Sequence, residues 1–221
     1  MPEFKERLSY EERIAKAMRD VFDEALKVAD LGIGAINKAI RQALNKYVGP
    51  IVEEIHRRVL VLMLIFFGDD DGARTVFGDA IDQQGPLYRD LDLRARQRAS
   101  EQVRILGRQM SDTNRAWWDE MPDDSTPEDW ASERLLTDSR IENVSITETT
   151  NAVTIAERTV LDEAEELGVN VTMTWHTKLD ERVCPVCGPL HGRGPEKWFE
   201  DFRQGPPAHV RCRCFLLYHF R

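Results

Sequence analysis

Cysteine is absent from this 221-residue chain before position 184, and the four that it has, Cys184, Cys187, Cys212 and Cys214, fall in the last forty residues. A secreted fold stapled by disulfides would usually spread them through its length. Long apolar runs are lacking too. The longest, Val59–Phe67, has nine residues, against roughly 20 for a membrane-crossing helix. It reads as a buried helix end or an interface patch, and no membrane is expected as a partner. Near the start, Glu3, Lys5, Glu6 and Arg7 leave no apolar stretch and no small-residue cleavage site, so no secretory leader is expected. Positive charge is in deficit: 39 acidic against 30 basic residues give a net charge of -9, which excludes general coating of DNA, because neutralising phosphates takes a basic face. Internal repeats and low-complexity tracts are also missing.

What is present is mostly helical patterning. From 9 to 48, Ile14, Met18, Phe22, Ala25, Ala29, Ile33, Ile36, Ile40, Ala43 and Tyr47 recur every three or four positions, which predicts one long helix or two in series with an apolar stripe. Gly32 and Gly34 weaken its middle. Gly49-Pro50 ends the run and starts a second helix over about 50–67. The Gly- and Asp-rich stretch 68–86 reads as a loop or hinge. Its Asp69-Asp70-Asp71 lacks the frame of a calcium loop. A third helix over about 87–118 carries Arg89, Arg94, Arg96, Arg98, Arg104, Arg108 and Arg115 against four acidic residues, a face that suits solvent, an acidic partner or DNA. His56 reads as a surface or helix-packing residue.

The expected class is α+β: a long N-terminal α-helical region (1–120), a linker with a short helix capped by Thr126 (121–136), and a small α+β domain (137–221). In that last part, a helix over 147–167 ends at Gly168. Val169–Trp175 alternates as a half-buried strand, and Arg211–Tyr218 fits a second strand with Cys212 and Cys214 on one face.

Chemistry concentrates at Cys184-Pro-Val-Cys187-Gly188 and His209-Val-Arg-Cys212-Arg-Cys214. A Cys-x-x-Cys turn sets two thiolates about one tetrahedral edge apart, and the second pair supplies two more soft ligands, with His209 competing for a position. Four of these five residues would make a closed structural Zn²⁺ site. Disulfides, reduced buried thiols and a redox pair are the other readings of the same four cysteines. Trp175 and Trp198 are expected to cover the small core around the metal. The histidines lack the neighbours a zinc deaminase or a His-Asn-His nuclease needs, and no phosphate loop or nucleophile elbow occurs.

The ordered set Thr147-Glu148, Trp175, Asp180-x-x-x-Cys184-x-x-Cys187, Leu190-His-Gly192 and Pro206-Pro207-x-His209-x-x-Cys212-x-Cys214 resembles the Mu F-like phage head-morphogenesis family of minor capsid proteins, over roughly 137–221. The resemblance implies a virion protein at or near the portal vertex, with a structural and non-enzymatic role in head assembly, DNA packaging or ejection. It would be made in the host cytoplasm and would be oligomeric on the particle. Its implied partners are the portal protein or the major capsid protein, with possible contact to packaged DNA. Docking would use the 14–47 stripe and the 59–67 patch. The family is also distantly similar to ADP-ribosyltransferases. Where members often carry an Arg just before Thr-Glu, this chain has Ile146, which counts against transferase activity. An enzyme delivered with the genome (a transferase relative or a nuclease) is one alternative, and a zinc-dependent nucleic-acid-binding module is another.

Overall fold

The computed structural model describes residues 4–178 and 183–220. Among the described residues, seven α-helices and one two-stranded sheet share a single core that runs from Phe4 to Tyr218. The N-terminal stripe forms two helices, α1 (Arg7–Leu26) and α2 (Ile33–Ala43), separated by a short 3-10 turn. Gly32 makes that break possible: its φ of +87° lies where a β-carbon is strained. A π-helical turn, Leu44–Val48, leads directly into α3 (Gly49–Gly68). Pro50 has no N–H to donate to the preceding turn, and the widened turn accommodates that loss without ending the rod.

The segment 68–86 corrects the loop expectation. Asp71–Ile81 is helix α4, and Asp70 caps it by accepting from the Ala73 N–H at 2.9 Å. The aspartates that suggested a loop are a helix start. Phe77 of α4 stacks on Phe67 of α3 with ring centroids 4.6 Å apart, and Gly78, at φ +31°, kinks the helix.

Helix α5 (Gly85–Trp118) is followed by the short α6 (Pro127–Trp130), capped by the Thr126 hydroxyl as expected, and by α7 (Asp138–Glu166). The cap of α7 is Thr137, so this helix begins nine residues before the expected start. Its early turns carry Ser145, Thr149 and Thr150, whose hydroxyls bond back to carbonyls of their own helix and disguise the periodicity.

Strand β1 (Val171–His176) pairs antiparallel with β2 (Phe215–Phe220), Val171 opposite Phe220 and His176 opposite Phe215. The second strand therefore starts four residues later than expected. Cys212 and Cys214 lie on the loop that enters it, where Arg211 at φ +63° breaks the extended chain. Phe220 stacks on Phe66 of α3 at 4.5 Å, so the far end of the sheet rests on the helical layer.

The apolar stripe faces inward. Ile14, Met18, Phe22, Ile36 and Ile40 are buried, as are Val59, Leu60, Met63, Leu64 and Phe67. Helix α7 packs on α1 and α3, and α3 also packs on α5 and α4. Most of these faces are covered by the chain's own core, and Ile65 is the residue of the 59–67 patch that stands well out of it. Each such side chain contributes roughly 1.5–3 kcal/mol by leaving water, so exposing the stripe to a partner would cost the fold its main support.

Candidate metal centre

The knuckle forms as its spacing requires. The Cys187 N–H donates to the Cys184 sulfur at 3.3 Å and the Gly188 N–H to the Cys184 carbonyl at 3.0 Å, closing the turn. On the other side of the centre, the Cys212 N–H donates to the His209 carbonyl at 3.1 Å. Gly205, at φ +87°, starts that loop. A β-carbon there would sit 3.0 Å from Leu216 and 3.4 Å from Thr154, so only glycine lets the loop lie this close to α7.

All five sequence-expected residues converge. Cys184 Sγ lies 2.9 Å and Cys187 Sγ 3.2 Å from His209 Nε2, and Cys187 Sγ lies 3.9 Å from Cys212 Sγ. Their donor atoms form two groups, Cys184–Cys187–His209 and Cys187–Cys212–Cys214, each with all atoms within 4.8 Å of one another. Cys187 belongs to both. The four cysteines are free thiols, which removes the disulfide reading. Two sulfurs bound to one zinc at 2.3 Å stand about 3.8 Å apart in a tetrahedron, and the Cys187–Cys212 separation matches that edge.

The chemistry of the donors fits a soft cation. His209 Nδ1 sits 2.7 Å from the Val210 carbonyl, which places its proton there and leaves the Nε2 lone pair facing the sulfurs. The crowded thiols compete for protons. The hydrogen bond to Cys212 raises Cys187 far above the ordinary thiol range, and the bond from Cys187 lowers Cys212 to about 2. A divalent cation would replace those shared protons and let several sulfurs ionise together. The Trp175 indole N–H is buried with no oxygen or nitrogen acceptor among the described residues. It lies beside Cys214, which the Cys187 hydrogen bond pulls down but the Cys212 hydrogen bond and burial push up further, to about 12. Trp175 also meets Trp198 edge-on at 5.6 Å, and Trp198 Nε1 donates to the Arg193 carbonyl. Both tryptophans are buried, Trp175 beside Cys214 and Trp198 against Trp175.

A cleft of about 430 Å³ opens beside the cysteines, walled by Glu142, Ile146, Thr177, Arg211 and Arg213. Thr147 and Glu148 take separate structural tasks. The Thr147 hydroxyl accepts from the Arg211 N–H at 3.0 Å. Glu148 points away from the cleft into the helical layer and accepts from Gln102 Nε2 at 2.9 Å, and burial raises its pKa. A carboxyl turned inward in this way is not placed to meet a substrate in the cleft. Ile146 on the wall offers the cleft no charge just before Thr147. Asp180, the first residue of the knuckle motif, lies outside the described residues.

Sequence reading missed three contributors. Gln102 joins Glu148 to His56, which is fully buried with Nε2 3.0 Å from the Gln102 carboxamide oxygen; burial pushes its pKa down to about 4. Glu157 accepts from the Tyr218 hydroxyl at 2.8 Å and is raised by burial to about 8. Arg7 is distant in sequence from every motif and touches the cysteine loop. Six of the seven arginines of α5 meet carboxylates: Arg94 with Asp90 and Glu163, Arg96 with Asp92, Arg98 with Asp162, Arg104 and Arg108 with Glu101, and Arg115 with Asp112. Each exposed pair adds little stability, but together they reduce the positive charge that this face offers to phosphates.

A helical layer carrying a small sheet and a Cys/His cluster defines a helical α+β protein with a candidate metal knuckle at its C-terminal end. The model of the Phage Mu protein F like family matches residues 83–217, and the chain belongs to that family, one of phage head morphogenesis. The match begins at the start of α5, well upstream of the 137–221 segment that carries the motifs. Comparison with curated proteins and with solved structures gave no match.

Proposed function

We propose that this chain is a minor capsid protein acting at or near the portal vertex of a tailed phage, and that its C-terminal cluster is a closed structural zinc centre. The observation that carries the zinc reading is the convergence of Cys184, Cys187, His209, Cys212 and Cys214 around Cys187. Cys184, Cys187 and His209 from one side, with Cys212 or Cys214 from the other, complete four ligands. Such a site leaves no open coordination position for turnover, which supports a structural role over an enzymatic one. Membership of the head-morphogenesis family supports a place in the virion, reached from the host cytoplasm during assembly.

The partners are the portal protein or the major capsid protein, met by outward-facing residues, because the 14–47 stripe is spent in the core. Contact with packaged DNA is a minor element of this reading, since the α5 arginines are largely neutralised. Localised reconstruction of intact particles tests the placement. Density for this helical layer in several copies around the portal vertex is expected, and density spread over the icosahedral faces, or none, would overturn it.

A further inference from the structure

Arg7 sits in the first turn of α1, more than two hundred residues before the cysteine loop, and only 7% of it is exposed. Its guanidinium donates from Nη1 to the Arg213 carbonyl at 3.0 Å and the Cys214 carbonyl at 3.4 Å, and from Nη2 to the Cys212 carbonyl at 3.0 Å. Nη2 also donates to the Thr150 hydroxyl, which lies 2.6 Å from the same Cys212 carbonyl. Nε donates to Glu11 at 2.8 Å. Three consecutive carbonyls of a loop that has not yet joined the sheet are thus gathered by one side chain. Without it, the Arg213 and Cys214 carbonyls would lose this donor while Cys212 kept only Thr150, and the loop would lose the contact that aims the Cys212 and Cys214 sulfurs at Cys187.

We infer that Arg7 is a positioning residue of the metal centre, so that docking of the N-terminal helix and metal occupancy at the opposite end of the chain stabilise each other. This rests on the zinc reading above. A group that orients ligands without touching the ion typically changes affinity by about 10–100-fold when removed. Linkage requires the reverse effect as well: whatever α1 adds to zinc affinity, zinc returns to the docking of α1.

The test uses the full chain and Zn²⁺ in competition with a chromophoric chelator. Arg7→Met should weaken zinc by about 10–100-fold, and Arg7→Lys, a point charge reaching fewer carbonyls, should fall between. Arg13→Gln, on the same helix as Arg7, removes only a surface pair with Glu54 of α3 and should bind as the wild type does. Hydrogen exchange on the unmutated chain supplies the second arm, which needs no variant to fold: removing zinc with chelator should lower protection in the first turns of α1 together with the 209–214 loop. Wild-type affinity in Arg7→Met, or α1 protection indifferent to chelation, would overturn the inference while leaving the zinc centre standing. A wild-type chain that takes up no zinc would overturn both.

Discussion

The backbone N–H of Arg211 donates to the hydroxyl of Thr147 over 3.0 Å, joining the middle of α7 to the turn between His209 and Cys212. Arg211 holds a left-handed φ of +63°, a conformation that a non-glycine residue keeps only when its surroundings impose it. Thr147 is part of what imposes it, together with the Glu142 carboxylate that meets the Arg211 guanidinium at 2.5 Å. Within the Thr-Glu pair, Thr147 therefore holds the cysteine loop, while Glu148 is turned into the helical layer on Gln102. Thr147→Val should lower stability by about 1 kcal/mol, while Arg211→Gly, free of the backbone strain, should be close to neutral. Chemical denaturation of both variants checks this.

Gln102 is the joint between α3, α5 and α7. Its carboxamide faces His56 Nε2 at 3.0 Å, and its Nε2 also donates to the Glu148 backbone carbonyl at 3.0 Å. Gln102→Leu keeps the volume and strands both partners, at a cost of roughly 2–4 kcal/mol. Glu148→Gln should be tolerated, because burial already favours the neutral acid. Thermal denaturation distinguishes the two. A Glu148→Gln variant as unstable as Gln102→Leu would show that the ionised carboxylate matters.

Glu157 gives the fold a dependence on pH. Burial raises its folded pKa to about 8, above the ordinary 4.5 that it regains on unfolding. Between those values the folded state keeps a proton that the unfolded chain releases, so stability is complete below about pH 4.5 and falls as pH rises toward 8. At about 1.4 kcal/mol per unit the loss amounts to a few kcal/mol. Glu157→Gln should flatten this decline, and its melting temperature relative to wild type should rise steadily from pH 5 to pH 8. A constant difference across that range would contradict the assignment.

Much of this fold is legible in the sequence where one signal acts alone. The period of Ile14, Met18 and Phe22 gave α1, the Thr126 cap gave α6, and alternation through Met173 and Trp175 gave β1. Asp69-Asp70-Asp71 misled because the same residues favour loops and helix starts, and only the burial of Ala73, Phe77 and Ala80 decides between them. Apolar periodicity identifies a buried face without naming what covers it: along the 14–47 stripe, α1 packs on α7 and α2, and α2 packs on α1 and α5. The five clustered residues were legible because ligand spacing is local. Arg7, Gln102 and His56 were not, since their roles depend on contacts made only after long stretches of chain fold together.

The ligands should divide by serine substitution. Cys187 belongs to both groups of donors, so Cys187→Ser should abolish zinc retention, and Cys184→Ser should weaken it severely. Of Cys212→Ser and Cys214→Ser, one should lose the metal and the other should keep it. Equal, mild effects from all four would argue against a single centre.

The most direct test of the central claim is the mass of the intact chain measured under non-denaturing conditions after expression with zinc available. One Zn²⁺ per chain is expected, released by acid or chelator with a fall in melting temperature. A chain that carries no metal, whose four thiols all react freely with an alkylating reagent while its stability is unchanged, would contradict the account.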